Sequence, residues 1–264
     1  MVGYIIYGRL KSKRLPKKAL LTINGKSLIR ILIERISLSS KIDKIVFATS
    51  DLEEDKPLAK LALNEGLETY CGYPEDVLLR LHETARYFGF DYFLTTMVDV
   101  PFQLLEVIDA TVDKLIGEDY DMLYSYPGQP KGTVCYGLKT EALKRVIDIK
   151  KATDTECWGR YFTETDMFKW GEINMFKSYS HLKEFRLVID YPEDYEFCQN
   201  LYSDLLSRFG VNFTLDNLVE VLDSVKYEKL LGGIRELSKK WEAHFMSSGT
   251  EVDKDVERIK ALQP

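Results

Sequence analysis

A chain of 264 residues is long enough to bury one substantial core as a single α/β domain with an appendage. Hydrophobic residues at 45% and charged residues at 30% exclude extensive disorder, and a net charge of −6 sets the surface as a whole against nucleic acid. The apolar start MVGYIIYGRL precedes its basic residues, the reverse of a secretory signal, and no run of about 18 apolar residues offers a membrane span, so a cytoplasmic protein is expected.

The segment from Gly3 to Gly8 (GYIIYG) is a short apolar run ending in glycine, which predicts a fully buried strand of a parallel sheet. After an irregular basic segment, Ser27 can cap a helix that places Leu28, Ile29, Leu32, Ile33 and Ile36 on one face. A strand at Lys44 to Thr49, a helix from about Glu54 to Glu65 and a strand at Glu68 to Cys71 follow. A helix at Asp76 to Phe88, a strand at Tyr92 to Thr96, a helix at Leu104 to Leu115 and a strand at Met122 to Tyr126 continue the alternation. Strands alternating with helices of this length imply a mostly parallel sheet covered by helices on both faces.

From Gly128 to Lys183 the periodicity loosens, with a strand at Val134 to Leu138, a helix at Glu141 to Ile149 and aromatic-rich stretches, as in an insertion that covers a substrate. Regularity returns with a strand at Arg186 to Ile189 and a helix from Glu193 to about Phe209, opened by Asp190 and Pro192. Leu215, Leu218, Val219 and Leu222 mark an amphipathic helix, Leu230 to Phe245 a further one, and the charged end beyond Ser247 is expected to fray. The chain thus divides into residues 1–209, with 128–183 as the insertion, and a helical extension over 210–264. Cys71, Cys135, Cys157 and Cys198 are far apart with no CxxC pair, so neither a zinc knuckle nor a disulfide framework is implied.

Between Arg9 and Lys18 the sequence RLKSKRLPKK carries Arg9, Lys11, Lys13, Arg14, Lys17 and Lys18 with no acid. Directly after the first strand, this turn falls at the carboxyl edge of the sheet, where doubly wound folds bind ligands. Arg supplies forked hydrogen bonds and Lys point charges, the donors a polyphosphate needs. Lysine-rich turns are more often plain solvated surface, and it is position that tips the reading. No GxxxxGK[ST] loop is present, which argues against ATPase chemistry of that type.

The stretch GRLKSKRLPKKALLTINGKSLIRILIERI resembles the N-terminal signature of the cytidylyltransferases that make CMP-activated sugar acids. The following KIDKIVFATSDLEEDKPLAKLALNEGLETYCGYPEDVLLRLHETARYFG looks like the variant found in spore coat polysaccharide biosynthesis proteins, and FRLVIDYPEDYEF and FTLDNLVEVLD are similar to later segments of that branch. The resemblance covers about residues 3 to 225 and is weakest between 103 and 180. It implies a Rossmann-like nucleotidyltransferase fold, CTP as donor, Mg2+ as cofactor, an acceptor such as a sugar acid or a phosphorylated or phosphonate metabolite, a role in polysaccharide biosynthesis and a homodimer, to which the aromatic 158 to 176 region would contribute.

Carried over by position, the resemblance implies that Arg9, Ser12, Arg14 and Lys18 contact the triphosphate and that Tyr7 and Gly8 line the nucleotide. It also implies that Asp99 (MVDVP) and Asp190 (VIDYPED) hold the metal, and that Arg9, Lys18, Asp99 and Asp190 form the catalytic set. An Asp before Pro is by itself a common turn, but two such carboxylates facing a cationic loop suit magnesium. Ala48, Thr49, Asp76 and Arg80 match a segment near base and ribose, with Asp76 equally a helix cap. Lys131 and Arg186 are candidates to grip an acidic acceptor.

The pattern departs from the family where Met97 and Val98 precede Asp99 and where PKGTVCYGL lacks two acids. These departures leave open a guanylyl- or uridylyltransferase of the same fold, and a non-catalytic nucleotide-binding homologue.

Overall fold

The computed structural model of the chain describes residues 1–125, 128–133, 135–248 and 250–262. Tyr126 and Val134, both placed in strands by sequence pattern, lie outside them. The described strands are β1 (Val2–Tyr7), β2 (Thr22–Ile23), β3 (Lys26–Ser27), β4 (Lys44–Ser50), β5 (Glu68–Gly72), β6 (Tyr92–Met97), β7 (Met122–Ser125), β8 (Tyr136–Lys139) and β9 (Trp170–Ile173). The helices are α1 (Leu28–Ile36), α2 (Lys56–Asn64), α3 (Val77–Phe88), α4 (Leu105–Gly117), α5 (Thr140–Ile149), α6 (Arg160–Thr163), α7 (Pro192–Phe209), α8 (Leu215–Leu222), α9 (Val225–Glu228), α10 (Leu231–Ser248) and α11 (Thr250–Lys260).

Seven strands form one sheet in the order β5-β4-β1-β6-β8-β7-β9. The pairs β1·β4, β1·β6, β4·β5 and β7·β9 are parallel, and β8 runs antiparallel between β6 and β7. Alternation along the central strands divides the core in two. Tyr4, Ile6, Phe47 and Leu94 pack with α1, α2, α4, α7 and α8 on one face, and Ile5, Val46, Ala48 and Phe93 pack with α3, α5, α6 and α11 on the other. Helices therefore cover both faces, as the apolar runs of the strands require.

Strand order reverses at β1. The chain runs outward from β1 to β4 and β5, then returns to β6 on the opposite flank of β1, which opens a crevice at the carboxyl ends of β1 and β6.

Local sequence fixes the starts of three helices. The Ser27 hydroxyl accepts from Arg30 N at 3.0 Å and starts α1, and the Asp76 carboxylate accepts from Leu79 N at 3.1 Å and starts α3. The helix α7 opens on Pro192, and its cap is Asp194 reaching back to the amides of Tyr191 and Asp190, both at 3.0 Å.

Three expectations are corrected. Residues 186–189 do not form a strand: Leu187 N donates to Lys131 O at 2.7 Å and Ile189 N to Asp99 O at 3.0 Å, so the extended chain splits its bonds between two segments and no ladder extends beyond the Lys131–Arg186 bridge. The stretch after the cationic turn is not irregular throughout, because the Asn24–Gly25 turn joins β2 to β3 as a small hairpin. The end of the chain does not fray at Ser247, since α11 buries Val252, Val256 and Ile259 against Trp158, Tyr161 and Phe162.

Candidate active site

The crevice at the ends of β1 and β6 contains a cleft of ≈ 400 Å³. Its floor is the end of β1. Tyr7 O accepts from Val98 N at 2.8 Å and Gly8 N donates to Ala48 O at 3.2 Å, which locks the start of the turn between β4 and the segment after β6. A Cβ on Gly8 would lie 2.6 Å from Val98 Cγ1, so the close approach of these two segments demands glycine there. One wall is the cationic turn, contributing Arg9, Lys11, Ser12, Lys13, Arg14 and Lys18. The facing wall carries Glu75, Val77 and Arg80 from the start of α3, with Met97, Val98 and Asp99 after β6 and Asp154 and Glu156 from the connection between α5 and α6.

Every long cation of this turn that an ion pair holds is paired to one of three acids. Arg9 donates to Glu75 Oε2 at 2.9 Å and Lys11 to Glu75 Oε1 at 3.1 Å. The Arg9 hydrogen bond, seconded by that from Lys11, depresses the Glu75 carboxyl to about 2 against the raising effect of burial. Arg14 Nη2 donates to Asp190 Oδ1 at 2.6 Å, and the same oxygen accepts from Lys18 Nζ at 2.7 Å. The Lys18 ammonium also pairs with Asp99, so it bridges the two aspartates. Burial lowers the Lys18 pKa, but Asp99 and Asp190 outweigh it and raise the pKa above its ordinary value, so the amine stays charged.

Asp190 is itself 4% exposed. Burial pushes its carboxyl up, and Lys18 and Arg14 overcome that and hold it at about 2. Tyr7 is raised, first by burial and then by Tyr136 and Asp99, and remains a neutral phenol.

The residues present suit a divalent cation. Asp99 is 4% exposed, and its Oδ1 is buried with no hydrogen-bond partner among the described residues, while its other oxygen shares one ammonium with Asp190. Two carboxylates this close, one with an open lone pair, fit a hard ion that fills its other positions with water and phosphate oxygen. Among the described residues no three His, Cys, Asp or Glu side chains gather into a metal cluster.

Of the residues singled out by sequence, the structure brings Tyr7, Gly8, Arg9, Ser12, Arg14, Lys18, Arg80 and Asp99 to the cleft, and joins Asp190 to them through Arg14 and Lys18. Others stand elsewhere. Ala48 and Thr49 are fully buried within β4 and do not line the cleft. Asp76 caps α3, accepts from Thr155 Oγ1 at 2.9 Å and pairs with Lys150, which commits its carboxylate to structure.

Arg186, proposed from sequence as an acceptor contact, is 1% exposed and pairs with Asp194 and Asp190, both at 3.2 Å, so it supports Asp190 from behind. Lys131 pairs with Glu242 of α10 at 3.1 Å and does not line the cleft.

Arg80 is buried, donates to the Tyr73 and Pro74 carbonyls, and is lowered to about 10 chiefly by burial and then by Arg9. Sequence reasoning missed Glu75, Asp154 and Glu156. Glu75 precedes a helix cap and so read as turn chemistry, and the other two lie in the aperiodic region where no pattern assigns a position.

Comparison with known proteins bears on this arrangement. A family model described as cytidylyltransferase matches residues 4–207. An uncharacterized protein of Methanocaldococcus jannaschii is 27% identical over 228 residues, covering 83% of this chain and 89% of its own. The spore coat polysaccharide biosynthesis protein SpsF of Bacillus subtilis is 26% identical over 220 residues, covering 79% of this chain and 89% of its own. Among solved structures, a cytidylyltransferase from Leptospira borgpetersenii superposes with a TM-score of 0.75 at 22% identity, over 87% of this chain and 95% of that one, a likeness of fold. With the family model spanning the cationic turn, the sheet and Asp190, this chain belongs to the cytidylyltransferase family.

Proposed function

We propose that the protein transfers CMP from CTP to a small acceptor with release of pyrophosphate, using the cleft at the ends of β1 and β6. The observation that carries this reading is the meeting, in one cleft, of the cationic turn with the Asp99 carboxylate, tied to Asp190 through the Lys18 ammonium. A chain of net charge −6 concentrates Arg9, Lys11, Arg14 and Lys18 at this point, each held by a carboxylate that a triphosphate can replace. Family membership supports CTP as the donor.

In the reaction an acceptor oxygen attacks the α-phosphorus of CTP, the bond from that phosphorus to the bridging oxygen breaks, and pyrophosphate leaves with its charge while the acceptor proton passes to solvent. Arg9, Arg14 and Lys18 hold the β- and γ-phosphates and stabilise the leaving group. Asp99 and Asp190 are the residues that would hold magnesium, which when bound neutralises α-phosphate charge and acidifies the acceptor hydroxyl. Arg186 and Asp194 fix Asp190 from the protein side. A sugar acid is the acceptor class that the sequence resemblance supports, in polysaccharide or glycoconjugate assembly. With Arg186 and Lys131 outside the cleft, its acid group would meet Lys13, which lines the cleft, in place of those two.

The test is thermal stability with each of CTP, GTP, UTP and ATP in the presence of Mg2+, followed by pyrophosphate release with CTP and a panel of sugar acids. Stabilisation by CTP above the other three, and pyrophosphate formation that depends on an added acceptor, are expected. A stronger response to GTP or UTP would reassign the donor, and no response to any nucleotide would sink the reading.

A further inference from the structure

Chain beyond residue 207 lies outside the family match, yet its last helix grips the cleft through a single loop. Residues 150–159 connect α5 to α6 and bring Asp154 and Glu156 to the cleft wall. The amides of 151–154 belong to no helix or strand, and carboxylates of α11 take each of them. Asp255 Oδ2 accepts from Lys151 N at 2.6 Å and Ala152 N at 3.1 Å, and Glu251 Oε2 accepts from Thr153 N at 3.4 Å and Asp154 N at 3.2 Å. Asp255 is 5% exposed and also accepts from the Tyr161 hydroxyl at 2.8 Å and pairs with Arg258 at 2.6 Å.

The far side of the same loop is bonded to the start of α3. Thr155 Oγ1 donates to Asp76 Oδ1 and accepts from Leu78 N, both at 2.9 Å, Thr155 N donates to Glu75 O at 3.3 Å, and the Lys150 ammonium pairs with Asp76. The start of α3 supplies Glu75, Val77 and Arg80 to the wall that faces the cationic turn, and Glu75 holds Arg9. A continuous set of contacts therefore runs from α11 through 150–155 to the start of α3 and on through Glu75 to Arg9, buried at Asp255, Thr155 and Asp76 and exposed at the Arg9–Glu75 pair.

We propose that Asp255 is a positioning residue for the nucleotide, setting the 150–155 loop and through it the α3 wall against the cationic turn. The proposal rests on the reading that this cleft binds CTP. Its physical basis is that loop amides cannot satisfy one another in an irregular segment, so the carboxylate that collects them fixes the backbone. Loss of such an outer support displaces the groups it orients.

The experiment compares Asp255→Ala, Asp255→Asn, Glu251→Ala and the surface control Glu257→Ala by amide hydrogen exchange over 151–154 and by calorimetric binding of CTP with Mg2+. Asp255→Ala should speed exchange at Lys151 and Ala152 and weaken CTP about tenfold, on the scale of losses seen when outer supports are removed. Asp255→Asn, which keeps an accepting oxygen, should recover most of both, and Glu257→Ala should match the wild type. Glu251 is exposed, so Glu251→Ala repeats the test at Thr153 and Asp154 without disturbing the core if Asp255→Ala fails to fold.

Faster exchange with CTP affinity unchanged would overturn the positioning role, as would unchanged exchange. Arg9→Ala, measured in parallel, separates the two claims. If it weakens CTP and Asp255→Ala does not, the inference about α11 fails. If neither weakens CTP, the nucleotide reading itself fails.

Discussion

Asp190 is held at about 2 because Lys18 and Arg14 outweigh the effect of its burial. A carboxyl depressed in the folded state adds stability above its unfolded value of about 3.9, and that contribution disappears as pH falls through the folded value. The urea midpoint of the wild type should therefore fall more steeply between pH 5 and pH 2.5 than that of Asp190→Asn, and parallel slopes would refute the assignment. The two aspartates should also differ in kind. Asp99→Asn should lower turnover by about 10²-fold with the smaller loss of melting temperature, because its Oδ1 has no partner among the described residues and the Lys18 ammonium paired with its other oxygen keeps Asp190. Asp190→Asn should cost turnover and stability together, because Arg14, Lys18 and Arg186 all lean on its charge. Equal melting temperatures for the two variants would contradict that distinction.

Elements legible from sequence were those whose boundaries are set locally. The Ser27 and Asp76 caps and the apolar faces of α1 and α3 need no tertiary information. The edge strand β9 escaped notice because Trp170–Ile173 is short and lies in an aperiodic stretch, and its strand character comes from pairing with β7. In the aromatic 158 to 176 region, Trp158, Tyr161 and Phe162 pack in the core with α11, the default role of such side chains, while Trp170 on β9 is 38% exposed.

Contacts between distant elements were equally hidden. Arg35, at the end of α1, is fully buried, donates to Gln103 O at 2.8 Å and to Val211 O, and stacks on Phe213 at 3.7 Å, so it ties α1 to the segment before α8. Arg35→Ala should destabilise the protein by roughly 2–4 kcal/mol in urea unfolding, from the carbonyls left unpaired and the space left beside Phe213. A loss under about 0.5 kcal/mol, the range of an ordinary surface change, would show that the tie is dispensable.

At the scale of the molecule, topology decided which sequence-assigned residues meet. The reversal of strand order at β1 carries the cationic turn and Asp99 to one crevice, and the extended 185–190 segment delivers Asp190 beside them. Ala48 and Thr49 lie inside β4, Lys131 pairs with α10 and Arg186 holds Asp190 and Asp194 without lining the cleft, because residue type alone does not say which side chains the fold turns toward the cleft. No described helix is long and apolar enough to cross a membrane. CTP at about a hundred times its dissociation constant should add about 2.7 kcal/mol and raise the melting temperature by roughly 5–10 °C.

The central claim, that the turn after β1 and the Asp99–Asp190 pair together grip a nucleoside triphosphate, is met most directly by a crystal structure with CTP and Mg2+. The triphosphate is expected against Arg9, Arg14 and Lys18, with Glu75 released from Arg9 and Lys18 withdrawn from Asp99. Nucleotide bound outside the cleft, or within it while the Arg9–Glu75 and Lys18–Asp99 pairs stay intact, would contradict the account.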